Sequence, residues 1–312
     1  MIRAPIRSTI ELTYKCNQRC SYCYNPHHSG GFISFDGFVH VADELINESV
    51  FSIALAGGEP LLHPRFFEFY DYIADRAFAP PIILTNGSVA DETDVRKLVD
   101  RSKNRPLRLQ VSLDSLKPVI GMQNRLIKKT VAFLDSLIRY GIRPSIGTVL
   151  TSLNIDNVPQ LIQRFESNIL AYHLMAPQEF AHTKEYIRST RPTKAQVEGL
   201  KKYIDIVRNS FDISIEGGFD ESELKTVNKS GCHSCKGCAA GFTKAVVDPS
   251  LNVLACEITP SLVLGNLRES SLSEIWKNNR TKYIQSQDFP LCHNIARLRL
   301  VETKLSKMEA TK

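Results

Sequence analysis

Much is missing from this sequence, and each gap narrows its reading. No apolar run approaches the roughly 20 residues that a membrane-spanning helix needs. The start, Met1-Ile2-Arg3-Ala4-Pro5-Ile6-Arg7, lacks the apolar core of a signal peptide. A chain with neither is expected in the cytoplasm, with no membrane partner. No lysine- or arginine-dense stripe interleaved with aromatics is present, so nucleic acid is not an expected partner. Internal repeats and low-complexity tracts are absent too. Charge of one sign is only slightly in excess. A net +6 over 312 residues is compatible with an acidic substrate or peptide but does not require one.

The bulk of what is there is ordinary. Hydrophobic content of 43% and charged content of 23% fit a globular protein. The length suits one large domain plus a small one. The eight cysteines are less ordinary. In a reducing compartment they are more useful as ligands or catalysts than as disulfides.

Strand-like runs alternate with helix-like ones through the first two thirds. Strands are expected at 8–13, 51–56, 82–85, 107–113, 143–150 and 168–174. Amphipathic stretches lie between them at 37–46, 65–75, 91–101, 126–140 and 158–166. That alternation predicts an α/β fold with a parallel sheet and crossover helices. Six such units are too few to close an eight-stranded barrel. A linker rich in charge and turn formers follows at 177–192, then a helix at 194–209. From Gly231 the composition changes, and five cysteines fall between Cys232 and Cys292. The expected division is a core over 1–210 and a small module over 211–312.

Cys16, Cys20 and Cys23 stand in Cys-x3-Cys-x2-Cys spacing directly after the first strand-like run. One short loop with three thiolates can hold one side of a 4Fe–4S cluster, which needs four ligands and usually takes cysteine. Three protein ligands leave one iron open. The competing readings are a zinc knuckle or buried free thiols. Zinc sites use four ligands, often as two Cys-x2-Cys pairs, and a lone triplet at a strand exit fits that poorly.

Further along, Gly57-Gly58-Glu59-Pro60 follows the second strand. Glycines allow close backbone approach, and proline fixes the turn after them. Thr85-Asn86-Gly87 ends the third strand and reads as a turn. Val111-Ser112-Leu113-Asp114 ends the fourth, and alternation puts Ser112 and Asp114 on one side.

The cysteine triplet, with Tyr22 just before its third member, and the Gly-Gly-Glu-Pro loop together resemble the radical S-adenosylmethionine (radical SAM) superfamily. The resemblance implies an open, partial (β/α)6 TIM-type barrel with the site at the strand C-terminal ends. It implies a [4Fe-4S] cluster on Cys16, Cys20 and Cys23, whose open iron chelates the amino and carboxylate groups of SAM. Gly57, Gly58, Glu59 and Pro60 would meet the methionine end of SAM, and Ser112 and Asp114 its ribose. The fifth strand, Gly147-Thr148-Val149-Leu150 followed by Asn154, loosely resembles the adenine-side strand.

The C-terminal part opens with Cys232-His233-Ser234-Cys235-Lys236-Gly237-Cys238. A hairpin is expected over 245–248 and 252–256, bringing Cys256 back towards Cys238. Leu264-Gly265-Asn266-Leu267 follows, then a serine-capped helix near Ser271–Trp276. Cys292 comes last. The pattern resembles the SPASM/twitch extension of radical SAM enzymes, which carries auxiliary clusters. A full SPASM module needs more cysteines after the tryptophan segment, so a twitch-like module with one auxiliary [4Fe-4S] cluster is expected. Cys238, Cys256 and Cys292 are its best ligands, with Cys232 or Cys235 as the fourth. The remaining one of that pair is idle or donates a hydrogen atom or proton near the substrate. A zinc ribbon of Cys232, Cys235, Cys238 and Cys256 is the alternative, and His233 reads as a solvated loop residue.

The family chemistry implied is reductive cleavage of SAM to methionine and a 5′-deoxyadenosyl radical, which takes a hydrogen atom from the substrate. A reductase such as flavodoxin or ferredoxin would supply the electron. An auxiliary cluster accepting an electron from the substrate radical would give dehydrogenation or a cross-link. A returning hydrogen atom would give epimerisation. The expected substrate is a peptide, with a small molecule of aminocyclitol or sugar type as the alternative. The first strand starts near Ser8, so a leader-binding domain would come from a separate protein or be unnecessary. A non-catalytic iron–sulfur or zinc module for electron transfer or scaffolding is the remaining alternative. The Gly57–Pro60 loop argues against it, because such a module has no use for a SAM site.

Overall fold

A computed structural model describes residues 3–25, 28–120, 122, 126–177, 182–207, 212–216, 243–256 and 263–285, with backbone only at 167, 214–216 and 279–285. The chain starts with β1 (Arg7–Glu11), α1 (Phe35–Asn47), β2 (Ser52–Ala56), α2 (Phe66–Arg76), β3 (Ile82–Thr85), α3 (Glu92–Ser102), β4 (Arg108–Ser112), α4 (Ile127–Arg139), β5 (Ser145–Val149), α5 (Val158–Phe165) and β6 (Ala171–Met175). The six expected β-α units are therefore present. Neighbouring strands pair in parallel from β1 to β6. All five residues of β2 are buried, as a central strand of a covered parallel sheet requires. Two of the helices enter at side-chain caps. Ser34 Oγ accepts from Gly37 N at the start of α1, and Asp91 and Asp94 form a capping box at α3. Phe38 of α1 stacks on Phe69 of α2 with ring centroids 3.9 Å apart, fixing one helix pair over the sheet.

Three features depart from the sequence reading. The stretch 177–192 holds a short helix, α6 (Lys184–Ser189), ahead of α7 (Lys194–Val207). A seventh parallel strand, β7 (Asp212–Glu216), pairs with β6. Its Asp-Ile-Ser-Ile-Glu alternation is the pattern of an edge strand, but five residues with two isoleucines make a weak signal. The expected hairpin forms as β8 (Lys244–Val247) and β9 (Asn252–Leu254). However, β8 also lies parallel to β1, on the edge away from β2. Then β10 (Val263–Asn266) pairs antiparallel to β9, and α8 (Leu272–Gln285) follows. One ten-stranded sheet results, in the order β10-β9-β8-β1-β2-β3-β4-β5-β6-β7. The hairpin is thus an extension of the core sheet. Its register is set by buried Ala245, Val246 and Val247.

Further ties hold this segment to the first half. His40 Nε2 on α1 donates to Leu267 O over 2.7 Å. Glu44 Oε2, also on α1, accepts from Leu272 N at the start of α8 over 2.6 Å. A carboxylate there meets an orphan donor and the positive end of the helix dipole. Among the described residues, no helix is long and apolar enough to cross a membrane.

Candidate active site

The loop leaving β1 carries Cys16, Cys20 and Cys23, all half-buried. It stands at the C-terminal end of the parallel strands, where barrels of this kind build their sites. Polar side chains hold its shape. Thr13 Oγ1 donates to Gly31 O and accepts from Lys15 N, each over 3.0 Å. Asn25 Nδ2 donates to Tyr14 O over 3.0 Å. Tyr24 Oη donates to Glu11 Oε1 over 2.6 Å. Cys23 N donates to Cys20 O over 3.0 Å, closing a turn between the last two cysteines. From beyond β6, His182 Nε2 donates to Cys23 O over 2.8 Å.

The Gly57–Pro60 loop crosses directly over the start of this loop. Gly58 N donates to Thr13 O over 2.7 Å, and Glu59 N donates to Lys15 O over 2.8 Å. The crossing is close enough to exclude side chains. A Cβ at Gly57 would stand 2.3 Å from Thr13 O, and one at Gly58 2.1 Å from Lys15 O. Gly57 also has φ +132°, a value that favours glycine. The two glycines therefore let one loop seat the other, one residue ahead of Cys16. Pro60 is buried and opens the one-turn helix Pro60–Leu62.

Glu59 is fully buried. Its Oε1 accepts from Thr85 Oγ1 over 2.5 Å and from Leu61 N over 3.1 Å; its Oε2 accepts from Asn86 N over 2.7 Å. Burial pushes its carboxyl up to about 7, against the pull of these three hydrogen bonds. The carboxylate is thus engaged with the end of β3, and the backbone of the loop is what borders the cysteines.

Tyr22 and Asp114, both singled out from sequence, meet. Tyr22 Oη donates to Asp114 Oδ2, while Asp114 Oδ1 accepts from Val149 N over 3.0 Å. Asn154 Nδ2 donates to Asp114 O over 3.1 Å and to Val149 O over 2.9 Å. The cysteine loop, the end of β4 and the end of β5 are joined at this carboxylate. Ser112, half-buried at the end of β4, pairs in register with Gly147. It has no side-chain hydrogen bond to the cysteine loop among those described.

The donor set fits an iron–sulfur cluster. Three thiols sit on one pinned loop, and two N–H donors approach the sulfur of Cys16: Gln18 N at 3.4 Å and Asn86 Nδ2 at 4.0 Å. Among the described residues, no three cysteine, histidine or acidic side chains gather as a single metal ion would require. A cubane holds its ligands on separate irons and needs no such convergence. Of the C-terminal cysteines, Cys256 is buried just past β9; Cys232, Cys235, Cys238 and Cys292 lie outside the described residues.

The radical SAM superfamily model matches residues 10–166, half of the chain. The chain belongs to the radical SAM superfamily. A second model, the SPASM iron–sulfur cluster-binding domain, matches residues 235–294. Membership implies a [4Fe-4S] cluster and SAM at the first site and iron–sulfur binding in the second region. The chain is 23% identical over 284 residues to the antilisterial bacteriocin subtilosin biosynthesis protein AlbA of Bacillus subtilis (strain 168), covering 88% of this chain and 60% of AlbA. It therefore spans less than two thirds of that relative. It is 27% identical over 296 residues to the PqqA peptide cyclase of Methylobacterium sp. (strain 4-46), covering 88% of this chain and 74% of the cyclase. The fold is also that of Streptococcus suis SuiB in its crystal structure with precursor peptide SuiA. The TM-score is 0.73 at 16% identity, over 95% of this chain and 67% of SuiB.

Ser88 and Asp248 carry structural roles at this site that the sequence did not flag. Ser88 Oγ accepts from Asn17 Nδ2 over 2.9 Å and Gln18 Nε2 over 3.1 Å, while Asp248 accepts from Tyr14 Oη over 3.0 Å. The first has the faint signal of an Asn-Gly-Ser turn facing the cysteines. The second sits 234 residues from its partner and has no local signal.

Proposed function

We propose that this protein is a radical SAM enzyme that modifies a peptide by hydrogen abstraction. The observation that carries the reading is the crossing of the Gly57–Pro60 loop over the residue preceding Cys16, a join that a simple electron carrier has no need of. The relatives that include a peptide cyclase and a bacteriocin biosynthesis protein point to a peptide substrate.

When bound, a reduced cluster with SAM supplies the radical that breaks a substrate C–H bond. The chain's own residues orient and enclose that chemistry. Cys16, Cys20 and Cys23 hold the cluster. Gly57 and Gly58 would let backbone border it, Asp114 and Ser112 would meet the ribose of SAM, and His182 braces the backbone of Cys23. Cys256 with Cys238, Cys292 and one of Cys232 or Cys235 would hold a single auxiliary cluster, which would supply an electron acceptor for a net oxidation of the substrate. The functional division is the core over 1–210 and the module over 211–312. A reductase such as flavodoxin or ferredoxin supplies the first electron, a leader-binding protein is separate or unnecessary, and the setting is the reducing cytoplasm.

The test is anaerobic incubation with SAM and a strong reductant, with and without candidate precursor peptides from neighbouring genes. Formation of 5′-deoxyadenosine, lost in Cys23→Ala, supports the enzyme. A peptide product lighter by two hydrogens supports the peptide reading. A cluster-loaded protein inert to SAM would sink both, whereas turnover of a cyclitol or sugar in place of any peptide would move the substrate to the small-molecule class.

A further inference from the structure

The turn after β3 is built around one side chain whose orientation is completely specified. Asn86 is buried. Its N–H donates to Glu59 Oε2 over 2.7 Å, and its carbonyl accepts from Thr130 Oγ1 over 2.8 Å. Its Oδ1 accepts from Ser88 N over 2.9 Å and from Ser88 Oγ over 2.6 Å. The amide cannot be turned over, because a flip would set its NH2 against the Ser88 N–H. Its Nδ2 is therefore committed to the other side, where it donates to Asn17 Oδ1 over 3.0 Å and faces Cys16 Sγ at 4.0 Å. Ser88 Oγ completes the clamp by taking Asn17 Nδ2 and Gln18 Nε2.

We propose that Asn86 is a positioning residue for the N-terminal cluster: it fixes Cys16 and presents an N–H to its sulfur, making the cluster easier to reduce. The inference rests on Cys16 being a cluster ligand. Donors to a ligand sulfur stabilise the extra negative charge of the reduced state and raise its potential. In a buried setting each such donor counts for more than it would in water. Glu59 then acts two steps from the sulfur, by holding the backbone on which Asn86 stands. The contacts of Asn86 run to the cysteine loop and to Glu59, so the effect expected of it is on the first electron.

The experiment is an EPR-monitored redox titration of anaerobically loaded wild type, Asn86→Leu, Asn86→Gln and Ser88→Ala. The signal that changes on adding SAM identifies the N-terminal cluster. Asn86→Leu keeps shape but has no donor. It is expected to lower the reduced-to-oxidised ratio at a fixed potential roughly threefold, about 28 mV for a one-electron couple. Asn86→Gln, which restores an N–H, is expected to recover part of the shift. Ser88→Ala frees Asn17 and Gln18 but leaves the donor, and is expected to shift the potential less than Asn86→Leu. If Asn86→Leu does not retain iron, recovery of cluster and potential by Asn86→Gln carries the same support. Unchanged potential and unchanged EPR signal in a cluster-loaded Asn86→Leu would overturn the proposal, as would failure of Asn86→Gln to recover either the lost cluster or the shift. A wild type with no SAM-sensitive cluster would instead overturn the enzyme reading itself.

Discussion

Tyr14 Oη donates to Asp248 Oδ2 over 3.0 Å, joining the cysteine loop to the turn between β8 and β9. Asp248 is itself the organiser of that turn: its Oδ1 accepts from Ser250 N and Asn252 N, each over 2.8 Å. Burial, and then the Asp248 charge, push the Tyr14 hydroxyl well above the usual tyrosine range, so it remains a donor at any working pH. Tyr14→Phe removes one hydrogen bond to a carboxylate that keeps its other donors. A loss of about 1 kcal/mol in unfolding free energy is expected. Amide exchange should quicken at 248–252 and in the cysteine loop. Exchange confined to one of the two segments would mean that they are not mechanically joined.

Gly58→Ala places a methyl group where Lys15 O already stands. The obstacle is backbone, so nothing flexible can yield. We expect a loss of about 2 kcal/mol or more on denaturant unfolding. Iron content at the N-terminal site should fall with it, because the displaced residue is next to Cys16. A variant with normal stability and full iron would show that the loop crossing is not needed.

Glu59 gives a pH signature. Its folded-state pKa, about 7, lies above the ordinary 4.5. The folded protein therefore binds a proton more readily than the unfolded chain. The stability from this group is complete below about pH 4.5 and is lost as the pH rises through about 7. Glu59→Gln removes the slope. It also sets an amide where Asn86 N needs an acceptor, which costs about 1–3 kcal/mol. The variant should thus be clearly weaker than wild type at low pH, with the gap narrowing toward pH 8. Denaturant melts across that range read both terms, and parallel curves would remove Glu59 as their source.

Asp114 and Tyr22 can be separated. Tyr22→Phe takes one donor from the shared carboxylate and loosens the loop between Cys20 and Cys23; about 1 kcal/mol of stability and some retained iron should be lost. In Asp114→Asn the tyrosine hydroxyl can reverse and accept, so the fold should tolerate the change. SAM affinity should nevertheless fall about tenfold, the effect of losing one charge-assisted hydrogen bond of about 1.4 kcal/mol. Equal SAM affinity by calorimetry would remove Asp114 from the ribose site.

Much of the core was legible because its signals are local. Buried parallel strands such as β2 read as short apolar runs, and helices such as α3 announce their start with Asp91 and Asp94. The cysteine spacing and the Gly-Gly-Glu-Pro loop are likewise contiguous motifs. Edge strand β7 was missed because five residues with two isoleucines resemble any exposed segment. The helix α6 was hidden by the turn formers around it. The placement of β8 beside β1 could not be read at all, since parallel pairing over such a separation leaves no periodic trace.

The sequence by itself determined the chemistry on offer: three thiolates on one loop, a glycine pair after the second strand, and a second cysteine-rich region. Those follow from residue types and short spacings, and folding does not alter them. Only the tertiary structure decided what each group faces. It turned the Glu59 carboxylate inward to hold Asn86, aimed the Asn86 amide at Cys16, and tied Tyr14 to Asp248. Each of these depends on strands and loops distant in the chain meeting at one end of a sheet. Backbone donors and acceptors then had to be satisfied there, and the side chains that satisfy them could be assigned only once the partners were in place.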